Sequence, residues 1–231
     1  MTTDMQRIWQ FTPWLPYEID PGSLVSHCQF LNSDEVFNAG MMPGRKQGVP
    51  IPVPEMELTL PDFRVDCFTW DARVLVSQRM REVMALSEDE IEYFPVRATR
   101  SAAGPRAMNY MIMNVAVTDR ISHPQPERIF SSQHEFLASL MPGPDAIDVH
   151  VKPRYRLFHD EHFLGTPYCT DEFAMALLRA GCTGIRFIDP RHNRIEAPMR
   201  FRTLRGVEEE GDWDPVNKVE HTTIVEVVAD A

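Results

Sequence analysis

Thr170-Asp171-Glu172-Phe173-Ala174-Met175-Ala176-Leu177-Leu178-Arg179-Ala180-Gly181-Cys182-Thr183-Gly184-Ile185-Arg186-Phe187-Ile188 passes from a helix pattern to a strand pattern within one turn. Thr170 is a natural N-cap, and Asp171 and Glu172 fall in the first turn, where the helix dipole favours acids. Phe173, Ala174, Leu177 and Leu178 make one apolar stripe, and Gly181 stands where a helix commonly ends in a left-handed residue. Ile185 to Ile188 then returns as a strand. A helix delivered directly into a strand implies a sheet on which both pack.

Working upstream, Phe63, Val65 and Cys67 alternate with Arg64 and Asp66, the period of a half-buried strand. Ser77 offers a second N-cap, and Val76, Met80, Val83 and Met84 recur at the spacing of an amphipathic helix. Ser87-Glu88-Asp89-Glu90 reads as a polar turn. Ile91 to Val96 and Tyr110 to Val117 are the next strands. The latter is apolar on both faces and is expected at the centre of a sheet. The Ser101 to Pro105 link is long enough for a hairpin loop, which predicts antiparallel pairing of these two. Ser132-Gln133-His134-Glu135 is a capping-box pattern that predicts a short helix through Leu140. Ile147, Val149 and Val151 alternate as a strand, Tyr155 to Phe158 is another, and Thr223 to Val228 is a last one. Near the start, Ile8-Trp9-Gln10-Phe11 predicts an edge strand closed by Pro13.

These elements predict the α+β class: a mixed, largely antiparallel sheet with a few packed helices and an extended Pro-rich N-terminal arm. Residues 1–60, punctuated by Met41-Met42-Pro43-Gly44 and by Pro50, Pro52 and Pro54, are expected to form an irregular arm packed on the core. Residues 61–231 are expected to form the main domain, ending in an acidic segment.

The chain of 231 residues is long enough to bury a substantial core, and its 43% apolar and 25% charged residues are those of an ordinary soluble protein. No apolar run approaches the ~20 residues needed to span a bilayer. Met1 to Met5 lacks a basic and apolar secretory pattern, so a cytoplasmic protein is the expectation. The four cysteines, Cys28, Cys67, Cys169 and Cys182, are widely spaced, and buried reduced thiols are expected for Cys67 and Cys182.

The formal charge of −11 is unevenly spread. Gly206 to Ala231 holds eight acidic residues against Lys218 alone, a net of −7, while Arg191 to Arg205 carries five arginines and Glu196, a net of +4. An acidic balance argues against nucleic-acid binding, where phosphate must be neutralised, and favours a basic protein partner. For the charge run alone, a solvated acidic surface is the simpler account.

No nucleotide-binding glycine loop, nucleophile elbow or H-E-x-x-H motif is present. His159-Asp160-Glu161-His162 is the nearest approach to a metal motif, and His150 could converge with His159 across neighbouring strands. A polar turn explains the run without a metal. No catalytic residue, metal ligand or cofactor is expected. The candidate binding residues are Glu208, Glu209, Glu210, Asp212, Trp213 and Asp214. They form an aromatic within an acidic rim, although Trp213 would serve equally to pin the tail to the core.

Leu75-Val76-Ser77-Gln78-Arg79, Ile91-Glu92-Tyr93-Phe94-Pro95-Val96, Tyr110-Met111-Ile112-Met113-Asn114-Val115 and Gly181-Cys182-Thr183-Gly184-Ile185-Arg186-Phe187 occur in this order over residues 63–190. The ordered set resembles the "immunity eleven" family of bacterial polymorphic-toxin systems, formerly known only as a domain of unknown function. The resemblance implies a cytoplasmic immunity protein that binds and neutralises a cognate toxin or effector by occlusion. It implies no enzyme activity and no nucleic-acid or membrane partner, and it supplies no catalytic residues. The alternatives from the residues are a metal-dependent hydrolase using His150, His159 and His162, or an adaptor of a secretion apparatus.

Overall fold

The computed structural model describes residues 5–13, 28–38, 43–48, 50–58, 65–70, 73–101, 109–123, 147–191, 199–203, 206–211 and 223–227. Numbered along the chain, its nine-stranded sheet contains β1 (Gln6–Pro13), β9 (Thr118–Asp119), β10 (His150–Val151), β11 (Leu157–Asp160), β12 (Tyr168–Thr170), β13 (Ile185–Ile188), β14 (Met199–Thr203), β15 (Gly206–Gly211) and β16 (Thr223–Val227). Four further strands, β4 (Cys67–Trp70), β5 (Arg73–Ser77), β6 (Ile91–Pro95) and β8 (Tyr110–Val115), pair antiparallel in the order β4-β5-β8-β6. A third sheet joins β2 (Cys28–Phe30), β3 (Glu55–Leu58) and β7 (Arg97–Ser101). The helices are α1 (Ser33–Asn38), α2 (Gln78–Met84) and α3 (Asp171–Arg179). The α+β class is therefore observed, with parallel pairing only at β13–β16, β9–β11 and β3–β7 among the described strands.

The order of the large sheet is β15-β14-β16-β13-β1-β12-β11-β9, with β10 also on β1. β1 is thus central, paired to β12 on one side and to β13 on the other, where an edge strand was expected. The reason lies in its side chains: Trp9 and Phe11 are buried on one face, Ile8 and Gln10 on the other. A strand buried on both faces needs neighbours on both sides. Pro13, which lacks an N–H, falls at its last paired position.

One core unites the large sheet, both longer helices and the four-stranded sheet. Trp9, Phe11, Leu157, Cys169, Ile185, Phe187 and Ile224 of the large sheet meet Met80 and Met84 of α2 and Phe173, Ala174, Leu177 and Leu178 of α3. Cys67, Val76, Ile91, Met113 and Val115 close it from the other sheet. The opposite face of the large sheet packs Ile8, Phe158 and Tyr168 against Ile121 and Ile147.

Both predicted caps are present. The Ser77 hydroxyl accepts from Met80 N and the Thr170 hydroxyl from Phe173 N. At the end of α3 Gly181 takes φ 68°, its N–H donating to Leu178 O and that of Cys182 to Leu177 O. This doubly bonded close turns the chain towards β13. Two arginines from distant segments cover the helix ends: Arg156 donates to the carbonyls of Met84 and Ala85, and Arg79 to those of Ala180 and Gly181.

Several boundaries differ from expectation. Val76 lies on β5, not on the α2 stripe, because the cap at Ser77 starts the helix after it. β4 begins at Cys67, and Phe63 and Arg64 lie outside the described residues. β6 and β8 pair antiparallel as expected, with β8 central. They are not a simple hairpin, since β7 leaves between them and joins β3. Pro50, Pro52 and Pro54 lead into that strand, and Pro54 O accepts from Arg97 N. The expected strand through Ile147, Val149 and Val151 is reduced to β10 and one bridge between Ile147 and Ser122. The predicted helix from Ser132 to Leu140 lies outside the described residues.

Candidate partner interface

The acidic segment does not begin as a tail. Gly206 to Gly211 forms β15, the terminal strand of the large sheet, in a hairpin with the arginine-bearing β14. Arg200 is in register with Glu210 on one side and with Glu226 of β16 on the other. The basic and acidic runs, separate in sequence, therefore lie on neighbouring strands. The register passes from Phe201–Glu209 to Arg202–Val207, so Glu208 is the extra residue of a bulge. A bulged, acidic terminal strand resists pairing with another sheet edge. Glu208, Glu209 and Glu210 thus share one short strand, while Asp212, Trp213 and Asp214 lie outside the described residues.

A half-buried ionic cluster around the buried Asp189 anchors β16, the strand that carries this hairpin. Arg7 on β1 donates to Glu226 and, at 2.7 Å, to Asp189. Arg191 donates to the same Asp189 carboxylate through Nε at 3.0 Å and Nη2 at 2.8 Å. Burial pushes the Asp189 carboxyl up, but the side-chain and backbone hydrogen bonds of Arg191, with the charges of Arg191 and Arg7, hold it below the usual carboxylate range. Arg7 also stacks 4.3 Å from the Trp9 ring centroid, and Trp9 Nε1 donates to Asp171 at 2.8 Å. These ties join β1, the end of β13, β16 and the start of α3.

Two further buried carboxylates have structural partners. Asp66 accepts from the Ser77 hydroxyl, Arg79 Nη1, and the Thr183 N–H and hydroxyl. Asp160 accepts from the N–H groups of Ile121, Ser122 and His162 and from the Ser122 hydroxyl at 2.6 Å. Sequence alternation assigned Asp66 to a solvent face, Asp160 read as part of the polar turn His159-Asp160-Glu161-His162, and Asp189 was not singled out. The available signal was an aspartate set between apolar neighbours: Val65 and Cys67, or Ile188 and Pro190.

His150 and His162 are exposed, whereas His159 is buried on β11. Among the described residues no group of three or more His, Cys, Asp or Glu side chains could hold a metal ion. Cys67, Cys169 and Cys182 are buried and form no disulfide. Burial pushes all three thiols up, Cys182 to about 11, which opposes thiolate chemistry. Among the described residues no helix is long and apolar enough to cross a membrane.

No family model matches the chain, and no curated protein matches it. The likeness to immunity proteins therefore rests on the four quoted motifs.

Proposed function

We propose that this chain is a cytoplasmic immunity protein that binds a cognate toxin or effector and blocks it by coverage, without catalysis of its own. The observation that carries the reading is the meeting of the four ordered motifs in one core. Val76, Ile91, Met113 and Val115, and Cys182, Ile185 and Phe187, all belong to the same buried cluster. A signature spread over residues 63–190 has structural meaning when its members pack on one another.

The partner is a protein with a basic surface, not a nucleic acid or a membrane. A chain of formal charge −11 repels phosphate and speeds encounter with cationic surfaces. Glu208, Glu209 and Glu210 on β15, with Asp212, Trp213 and Asp214 following them, are the assigned contact region. The bulge at Glu208 favours recognition through side chains over extension of the sheet.

Co-expression with the product of the adjacent gene in a strain carrying this chain tests this. Rescue of growth together with co-purification of the two chains is the expected result. Turnover of a small molecule by the isolated protein, lost on removing one polar side chain, would overturn it. So would stoichiometric zinc or manganese in the active purified protein.

A further inference from the structure

His159 is a buried titratable group that none of the ionic clusters described above uses. It lies on β11 in register with Thr118 of β9 and is 4% exposed. Its Nδ1 is buried and has no hydrogen-bond partner. Above it runs a strap, residues 43–48. Gly44 takes φ 78°, and a Cβ there would lie 2.8 Å from Thr118 Cγ2, 2.9 Å from Leu164 Cδ2 and 4.0 Å from His159 Cβ. Gly44 of the strap therefore packs beside the His159 Cβ, between Thr118 of β9 and Leu164 of the turn after β11.

The strap is fastened to the four-stranded sheet by a few polar ties. Gly44 N donates to Val115 O at 2.9 Å, Asn114 Nδ2 to Arg45 O at 3.0 Å, and Gln47 N to Glu92 Oε2 at 2.8 Å. Lys46 pairs with Asp89, and both are exposed. Such ties are weak enough to open locally without global unfolding.

A neutral imidazole fits this space; an imidazolium does not. Protonation makes both ring nitrogens donors, and Nδ1 would carry its proton into a site with no acceptor. The charged groups on the surrounding elements give no relief. The strap offers Arg45 and Lys46, of like charge, both exposed. Beside it, Glu92 is engaged by Gln47 N and Asn114 Nδ2. On β9, Asp119 accepts from the N–H groups of Arg120 and Arg154. Asp160 is taken by Ser122 and backbone donors, and Glu161 and His162 of the following turn are exposed.

We propose that His159 is an acid-sensitive latch, protonation of its ring releasing the strap at residues 43–48 from β8 and β9. Burial drives the proton affinity of the closed site down to about 4. An opened strap returns the ring to water, where its ordinary value is about 6.5. The open form therefore binds the extra proton between these limits. Closure is complete above the upper limit and weakens as pH falls. Between about pH 7.5 and about pH 5 the opening equilibrium rises about 30-fold on this linkage.

Amide hydrogen exchange at Gly44 and Gln47, corrected for the intrinsic chemical rate, tests the latch on the full chain. In the native protein protection of these two amides should fall about 30-fold from about pH 7.5 to about pH 5, while the amide of Ile112 in β8 stays protected. In His159→Phe, which keeps an aromatic ring without a titrating proton, the protection should be flat with pH. An NMR titration of the His159 ring supplies a second readout needing no variant. A strap equally protected at both pH values, or a ring titrating near its solution value beneath a closed strap, would overturn the proposal.

Discussion

Gly184 lies against the backbone of Cys67: a Cβ built on residue 184 would stand 2.0 Å from the Cys67 carbonyl oxygen and 2.2 Å from Val65 Cγ1. Its φ of 83° also belongs to the left-handed region. Both facts explain the second glycine of Gly181-Cys182-Thr183-Gly184. It lets β4 lie against the corner between α3 and β13, where Cys67 N donates to Thr183 O. Gly184→Ala combines backbone strain with a clash against main chain and should cost about 3 kcal/mol or more. Urea unfolding of the variant checks this, and a loss below about 1 kcal/mol would contradict the contact.

The two helix caps should differ in cost. Thr170 caps α3 alone, so Thr170→Ala should lose about 1 kcal/mol. Ser77 caps α2 and also donates to the buried Asp66 carboxylate. Ser77→Ala removes both bonds and should lose about 2 kcal/mol. Equal thermal shifts for the two variants would argue against the second bond.

Asp66 holds three elements together through Ser77, Arg79 and Thr183. Asp66→Ala leaves the Thr183 N–H and the Ser77 hydroxyl without their acceptor and should cost about 3 kcal/mol. A double-mutant cycle with Arg79→Ala should show a smaller coupling, about 1 kcal/mol, because the Arg79 side chain is half exposed and its charge is screened.

Acid should weaken the cluster at Asp189. Its folded-state affinity for protons is held below the unfolded value, so its contribution is present above that value and is lost as pH falls through the folded one. Asp189→Asn should therefore lower stability at neutral pH and flatten the acid limb of the stability curve below about pH 4. Denaturant midpoints taken across that range measure it, and parallel acid limbs for the two proteins would contradict it.

Reversal of Glu208, Glu209 and Glu210 to lysine should slow association with a basic partner about ten-fold at low salt and flatten its salt dependence. Stopped-flow mixing reads the on-rate directly. Unchanged rates would remove β15 from the contact region.

The chemistry of each element was legible wherever it depends on neighbours in sequence. The caps at Ser77 and Thr170, the stripe of Phe173, Ala174, Leu177 and Leu178, and the turn at Gly181 are local patterns, and each is present. The candidate interface was legible only as composition. Glu208 to Glu210 read as part of a tail because a charge run has no period that reports a strand, and Arg200 and Glu210 are matched only across a hairpin. Asp66 read as a solvent-facing alternate because alternation says which residues share a face, not what later covers it.

By itself the sequence determined the class of fold, the N-caps of α2 and α3, the central place of the strand begun at Tyr110 and the acid-rich composition of the end, since side-chain periodicity and capping act over a few residues. Tertiary structure alone decided that Gln6 to Pro13 runs through the middle of the large sheet, that Arg7 meets Asp189 and Glu226, and that Gly44 packs beside His159. Those outcomes depend on which faces meet after the chain has folded back over more than a hundred residues, and on which buried charges then find partners.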